Sequence, residues 1–201
     1  PAMFDVLDKA AALKPDLVLL SEMAAREATP ATARVAEMVA ERARRMNAYI
    51  LIGGLDIDPR PANQPSSSYA ILWDRTGKRV FKEQIYWPRG FPEIEVYDTD
   101  FARIGVHLCG DLYVGEVDRV LTLKGAEIIL DASRMWGGDG QSNELMLRAR
   151  AVDNGCWVAC SHWNSSDPGL RSVIVDPYGY VVAASQYQES GAIATDIDFD
   201  K

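Results

Sequence analysis

Histidine and cysteine are both scarce in this 201-residue chain, with two of the first and three of the second. Neither histidine, His107 or His162, forms a ligand-spaced cluster with the cysteines, so the sequence offers no metal site. An odd number of cysteines cannot close into a full disulfide framework, which points to a reducing compartment and makes the cytoplasm the expectation. Long apolar runs are missing as well. Segments such as Leu17 to Leu20 and Ile128 to Leu130 fall far short of the ~20 residues that a bilayer requires, and no membrane partner is expected. The opening residues, Pro1 to Asp5, lack the basic-then-apolar pattern of a signal peptide. Positive charge is in deficit: 21 Lys plus Arg against 29 Asp plus Glu leave a net charge of -8. With no basic run interleaved with aromatics, nucleic acid is excluded as an expected partner.

What is present is enough apolar material, 48% of residues, for one sizeable core. The chain reads as a single domain over residues 1–201. Helical periodicity covers Phe4 to Leu13 and Thr32 to Met46, the latter with Val35, Met38, Val39 and Ala43 on one face. It returns over Val117 to Lys124 and Asn143 to Asn154. Between these lie short runs of consecutive apolar residues, as expected of strands buried on both faces. They are Leu17 to Leu20, Tyr49 to Ile52 (ended by Gly53-Gly54), Ile104 to Leu108, Ile128 to Leu130 and Trp157 to Ser161. Two hairpins share one plan. Tyr69 to Trp73 and Arg79 to Phe81 flank Asp74-Arg-Thr-Gly77, and Val173 to Val175 and Val181 to Ala184 flank Asp176-Pro-Tyr-Gly179. Strand–helix alternation mixed with hairpins predicts an α/β fold of two stacked mixed sheets covered by helices, in four layers α-β-β-α.

Three segments end where chemistry is usually placed. The strand Ile104 to Leu108 stops at Cys109-Gly110, with a helix expected to follow. A cysteine at such an elbow is exposed, and a helix N-terminus favours both thiolate and oxyanion. A lone cysteine there would more often be a small buried hydrophobe. The strand Leu17 to Leu20 runs into Ser21-Glu22, and a carboxylate at the C-terminal end of a buried strand is partly desolvated and suited to act as a general base. Lys82 closes the second strand of the first hairpin, where an ammonium can stabilise an oxyanion or simply be solvated.

Taken together, Glu22, Lys82 and Cys109 in Cys-x-Asp-x-x-x-x-Glu resemble, in order and spacing, the Glu-Lys-Cys triad of the nitrilase superfamily of carbon–nitrogen hydrolases. The likeness continues through Lys124-Gly-Ala-Glu-Ile-Ile-Leu130, Arg148-Ala-Arg-Ala-Val-Asp-Asn154 and Arg171-Ser-Val-Ile-Val-Asp-Pro-Tyr-Gly179, and so covers nearly the whole chain. It implies hydrolysis of a non-peptide carbon–nitrogen bond of a small molecule, an amide or carbamoyl group before a nitrile, through a cysteine thioester. Cys109 would be the nucleophile, Glu22 the base, and Lys82 with the backbone N–H of Gly110 the oxyanion site. No metal or organic cofactor is implied.

The chain departs from the family pattern in several places. The family opens with a core strand before its first helix, whereas this sequence starts at the helix. Its loop after the lysine is longer than the segment from Lys82 to Gly90 and carries a second glutamate, for which Glu83 and Glu93 are the candidates here. Ser21 stands where proline is usual, and Gly110 where an aromatic residue is common. Neither of these last two changes removes a reacting group, but the short Lys82 to Gly90 segment and the missing first strand motivate a rival reading, a non-catalytic binding or regulatory domain of the same fold. A Cys-His site is weaker: His107, two residues before Cys109 on the same expected strand, suits a packed core position. Trp87, Arg134, Trp136, His162 and Trp163 fall at strand ends or adjoining loops and are candidates for the substrate wall. The resemblance also implies a homodimer or larger homo-oligomer, formed through the Asn143–Asn154 helix and the helix after Cys109.

Overall fold

The computed structural model describes residues 2–22, 24, 32–55, 68–86, 93–134, 140–163, 171–186 and 191–200. Among them are helices α1 (Ala2–Ala10), α2 (Thr32–Met46), α3 (Gly115–Leu123) and α4 (Gly140–Asn154). The strands are β1 (Leu17–Leu20), β2 (Tyr49–Leu55), β3 (Tyr69–Trp73), β4 (Arg79–Gln84), β5 (Val96–Asp98), β6 (Arg103–His107), β7 (Ile128–Ser133), β8 (Trp157–His162), β9 (Val173–Val175) and β10 (Val181–Ala184). The first sheet has the order β1-β2-β3-β4, with β1 and β2 parallel and the rest antiparallel. The second has the order β10-β9-β8-β7-β6-β5, with a parallel centre of β6, β7 and β8 and antiparallel strands on either side.

Three apolar clusters separate four layers, as the patterning requires. Residues spaced by one helical turn, Val35, Val39 and Ala43 on α2 and Phe4 and Leu7 on α1, pack against Ile50, Ile52 and Ile71 of the first sheet. The opposite faces of these strands, carrying Leu51, Ala70 and Leu72, meet Ile104, Val106, Leu130 and Ala132 of the second sheet. That sheet's outer face is covered by Val117 and Leu121 of α3 and Leu147 and Ala151 of α4.

Several boundaries differ from those expected. The first helix is α only to Ala10 and tightens to a 3₁₀ turn over Ala11–Leu13, ended by Lys14 in the left-handed region at φ 50°. The strand β5 carries no long apolar run and was not expected. The Gly53-Gly54 pair does not end β2, which continues to Leu55. Gly53 lies where the two sheets approach so closely that a Cβ built on it would sit 2.5 Å from the Ala132 Cβ. The glycine therefore sets the sheet spacing next to the site rather than terminating a strand.

Both hairpins are built on the expected aspartate. Asp74 Oδ1 accepts the N–H groups of Thr76 and Lys78, each at 2.9 Å, and Asp176 Oδ1 accepts those of Tyr178 and Tyr180 at 3.0 and 2.8 Å. The helices on the outer face of the second sheet differ in which apolar residues they bury, and on the helix after Cys109 it is Leu123, 79% exposed, that faces outward. Val117 and Leu121 are fully buried in the core, whereas Leu145 and Val152 of α4 are 65% and 54% exposed.

Candidate active site

The elbow at Cys109 differs in kind from the one expected. Strand β6 ends at His107, and Cys109 opens a 3₁₀ turn, Cys109–Tyr113, before α3 begins at Gly115. Cys109 itself has φ 51°. A non-glycine residue in the left-handed region carries strain of about 1–3 kcal/mol and persists only where its surroundings hold it. Consequently Cys109 and His107 do not share a strand face: the turn takes the thiol out of the ladder.

Two carboxylates hold the turn. Asp111, fully buried, accepts the N–H of Leu108 at 3.0 Å and, from the segment just beyond Lys82, the N–H of Tyr86 at 3.0 Å. The aspartate of Cys-x-Asp thus ties the β4 exit to the cysteine turn. Asp131 of β7 accepts the Cys109 N–H at 3.2 Å.

Glu22 reaches the thiol from the other sheet. It sits two residues past the end of β1, accepts a hydrogen bond from Ser68 Oγ at 2.7 Å, and lies near enough to Cys109 for its charge to raise the thiol. Cys109 Sγ also lies 3.3 Å from the carbonyl oxygen of Arg134. Burial, followed by the like charge that would form beside Glu22, pushes the Cys109 thiol up to about 12. Cys156 is pushed up to about 11, and Cys160 is raised as well, both chiefly by burial. No cysteine here is activated by a low pKa, so a reactive one needs a base in contact and access from outside. Cys109 has a carboxylate, Glu22, near enough to act on its thiol, and it is half-buried where Cys156 and Cys160 are buried.

Lys82, on β4, is paired in register with Ile71, and its Nζ lies 3.8 Å from the Tyr69 ring centroid. Tyr69 follows Ser68, the partner of Glu22, so the ammonium is one residue removed from the Glu22 contact. Glu83 is buried, and because neighbours on a strand point to opposite faces, it lies on the other side of β4 from Lys82. Burial raises its carboxyl above the usual range, against the pull of the Gln84 N–H at 3.0 Å. Glu93 is exposed.

Among the expected wall residues, Arg134 contributes the carbonyl that meets Cys109 Sγ. His162 and Trp163 are half-buried and line a cavity of about 700 Å³ with Leu17, Leu20, Ser21 and Cys160. Neither Glu22 nor Cys109 lines that cavity. Trp87 and Trp136 lie outside the described residues. Among the described residues, no group of three or more His, Cys, Asp or Glu side chains is arranged to hold a metal ion, and no helix is long and apolar enough to cross a membrane.

Sequence reasoning missed Asp131 and Asp118. Both are fully buried and both face His107, which occupies the expected core position but as an ion-paired group. The available signal was Asp131 itself, an acidic residue continuing the apolar run Ile128 to Leu130.

The carbon-nitrogen hydrolase family model matches residues 6–201. The chain is 28% identical over 206 residues to the chloroplastic omega-amidase of Arabidopsis thaliana, covering 99% of this chain and 54% of that protein. It is 28% identical over 171 residues to the nitrilase and fragile histidine triad fusion protein NitFhit of Caenorhabditis elegans, covering 73% of this chain and 39% of that protein. The chain thus spans about half the length of these curated relatives. In fold it is similar to the amidase from Nesterenkonia sp. AN1 that carries acrylamide at its active-site cysteine, with a TM-score of 0.80, 20% identity, and coverage of 96% of this chain and 84% of that one. It is also similar to a carbon-nitrogen hydrolase from Helicobacter pylori G27, with a TM-score of 0.78, 15% identity, and coverage of 98% and 85%.

Proposed function

The chain belongs to the carbon-nitrogen hydrolase family, and from that premise we propose that it hydrolyses the amide bond of a small molecule with Cys109 as nucleophile, Glu22 as general base and Lys82 as the oxyanion-stabilising cation. The observation that carries the reading is the convergence from two sheets of the Glu22 carboxylate and the Cys109 thiol, near enough for the charge of one to raise the other, with Cys109 held in a strained turn. The omega-amidase and amidase relatives support an amide ahead of a nitrile.

In the first step Cys109 Sγ attacks the amide carbon while its proton passes to Glu22. The oxyanion that forms is assigned to the Lys82 ammonium and the Gly110 N–H, the donors the family resemblance implies. Collapse breaks the carbon–nitrogen bond, and Glu22 returns the proton to the departing amine or ammonia. Water, deprotonated by Glu22, then attacks the thioester, releases the carboxylic acid and restores the thiol.

Because the thiol is pushed up to about 12, only about one molecule in 10⁵ carries a free thiolate at pH 7. The proton must therefore leave as the carbon–sulfur bond forms, which is what a carboxylate in contact provides. Three cysteines free of disulfides suit the cytoplasm. The exposed Leu145 and Val152 of α4, with Tyr178 75% and Tyr180 67% exposed, suit a homo-oligomer contact through that face.

The test is ammonia or amine release over a panel of small amides, carbamoyl compounds and nitriles. Turnover confined to amides is expected. Turnover of nitriles alone, or none across the panel by folded full-length protein, would reject the reading.

A further inference from the structure

Behind Cys109 runs a row of buried charges that the acyl-transfer steps do not use. It starts at Arg150 on α4, whose Nε is 3.1 Å from Asp118 Oδ2 on α3. The other oxygen of Asp118 is 2.7 Å from His107 Nδ1, at the end of β6. His107 Nε2 lies 3.6 Å from Asp131 Oδ1 on β7, and that same oxygen accepts the Cys109 N–H at 3.2 Å.

The side chains of Asp118, His107 and Asp131 have no exposure. Burial works against charging the imidazole, yet the two flanking carboxylates hold its pKa well above the ordinary value. Cation and anion therefore alternate from Arg150 to Asp131, which lets four charges share a dry interior. Other titratable groups adjoin the row: Cys160 abuts Asp131, and Cys156 lies near Asp118.

Such a row could serve packing alone. Its end point argues otherwise, because it terminates on the main chain of a cysteine held at φ 51°. A residue in that region reverts to ordinary backbone unless something fixes it. Here His107 and Cys109, two residues apart, both face one oxygen of Asp131, the Cys109 N–H in a hydrogen bond and the imidazole at ion-pair distance.

We propose that Asp131 is a positioning residue for the nucleophile: its carboxylate, held in the charged row beside His107, clamps the Cys109 main chain in the turn that presents the thiol. The proposal rests on the reading of Cys109 as nucleophile.

The test uses the full chain and iodoacetamide, with alkylation followed by intact mass to separate the maximal inactivation rate from the half-saturating concentration. Asp131→Ala should lower the maximal rate on the order of tenfold or more with little change in half-saturation, since small misplacements of a reacting group cost rate. Asp131→Asn, which keeps an acceptor for the Cys109 N–H, should recover most of that loss, as mere filling of the space would not. A folded Asp131→Ala protein that alkylates at the wild-type rate would overturn the proposal.

A measurement on the unaltered protein covers the case in which these variants fail to fold. In ¹⁵N-cysteine-labelled protein, the Cys109 amide, assigned by its disappearance in Cys109→Ser, should be protected from hydrogen exchange. Free exchange there would equally overturn the proposal. If instead Cys109→Ser is alkylated as fast as wild type, the nucleophile reading itself has failed, and the two failures are thereby told apart.

Discussion

Replacing Glu22 with glutamine removes the base but leaves the shape, and the consequence can be worked from the thiol. In the wild-type protein that thiol is pushed up to about 12 by burial and by Glu22 together. Without the carboxylate, burial remains, so the thiol settles between about 12 and the ordinary cysteine value of 9.0. The thiolate fraction at pH 7 is then about 10⁻² at best and 10⁻⁵ at worst. Attack that must wait for this population is slowed at least ~100-fold, within the 10²–10⁴-fold span of general-base catalysis.

The sign of the pH response follows from the same reasoning. A thiol with a raised pKa gains thiolate as pH rises, so Glu22→Gln activity should climb about tenfold per pH unit from 6 to 8. The assay is the initial rate of ammonia release from a small amide across that range. Activity within tenfold of wild type at pH 7, or a flat profile in the variant, would refute the reasoning.

Cys109→Ala should abolish turnover and Cys156→Ala should leave the protein active, both read by the same ammonia assay. Lys82→Ala should slow acylation on the order of 100-fold, and Lys82→Arg should not restore it, because a planar guanidinium differs from an ammonium in reach and shape; single-turnover kinetics measure both. Gly53→Ala should destabilise the fold by about 1–3 kcal/mol, since its Cβ would fall 2.5 Å from that of Ala132 between two sheets that cannot separate locally. Thermal denaturation followed by circular dichroism should show a loss of several degrees. Light scattering at micromolar concentration should give at least a dimeric mass, and Leu145→Glu, on the exposed face of α4, should lower it.

The parts of this fold legible in the sequence are those that depend on local patterning. Val35, Val39 and Ala43 repeat with the helix, Leu17 to Leu20 and Ile128 to Leu130 run apolar as doubly covered strands do, and Asp74 and Asp176 mark their turns. The order of Glu22, Lys82 and Cys109 was legible too, through family resemblance rather than through any one residue.

Tertiary pairings left no local trace. Nothing about His107 in sequence says that two aspartates, one on α3 and one on β7, will close on it and keep it charged in the core. Nor does the run Ile104 to Leu108 announce that the strand gives way at Cys109 to a left-handed residue and a 3₁₀ turn, because part of what holds that conformation, Asp131, comes from another strand, with Asp111 of the turn itself bonding back to Leu108. The close approach at Gly53 is likewise a property of two sheets meeting, and a glycine pair read in isolation resembles a strand end.

The central claim is that an acyl group is carried on the sulfur of Cys109. Rapid-quench mass spectrometry of the wild-type protein mixed with a turned-over amide tests it directly, by locating any covalent acyl adduct after digestion. The expected result is an adduct on the Cys109 peptide that forms before the carboxylic acid appears and decays as it accumulates. An adduct on the Cys156 or Cys160 peptide instead, or ongoing turnover in Cys109→Ser, would contradict it.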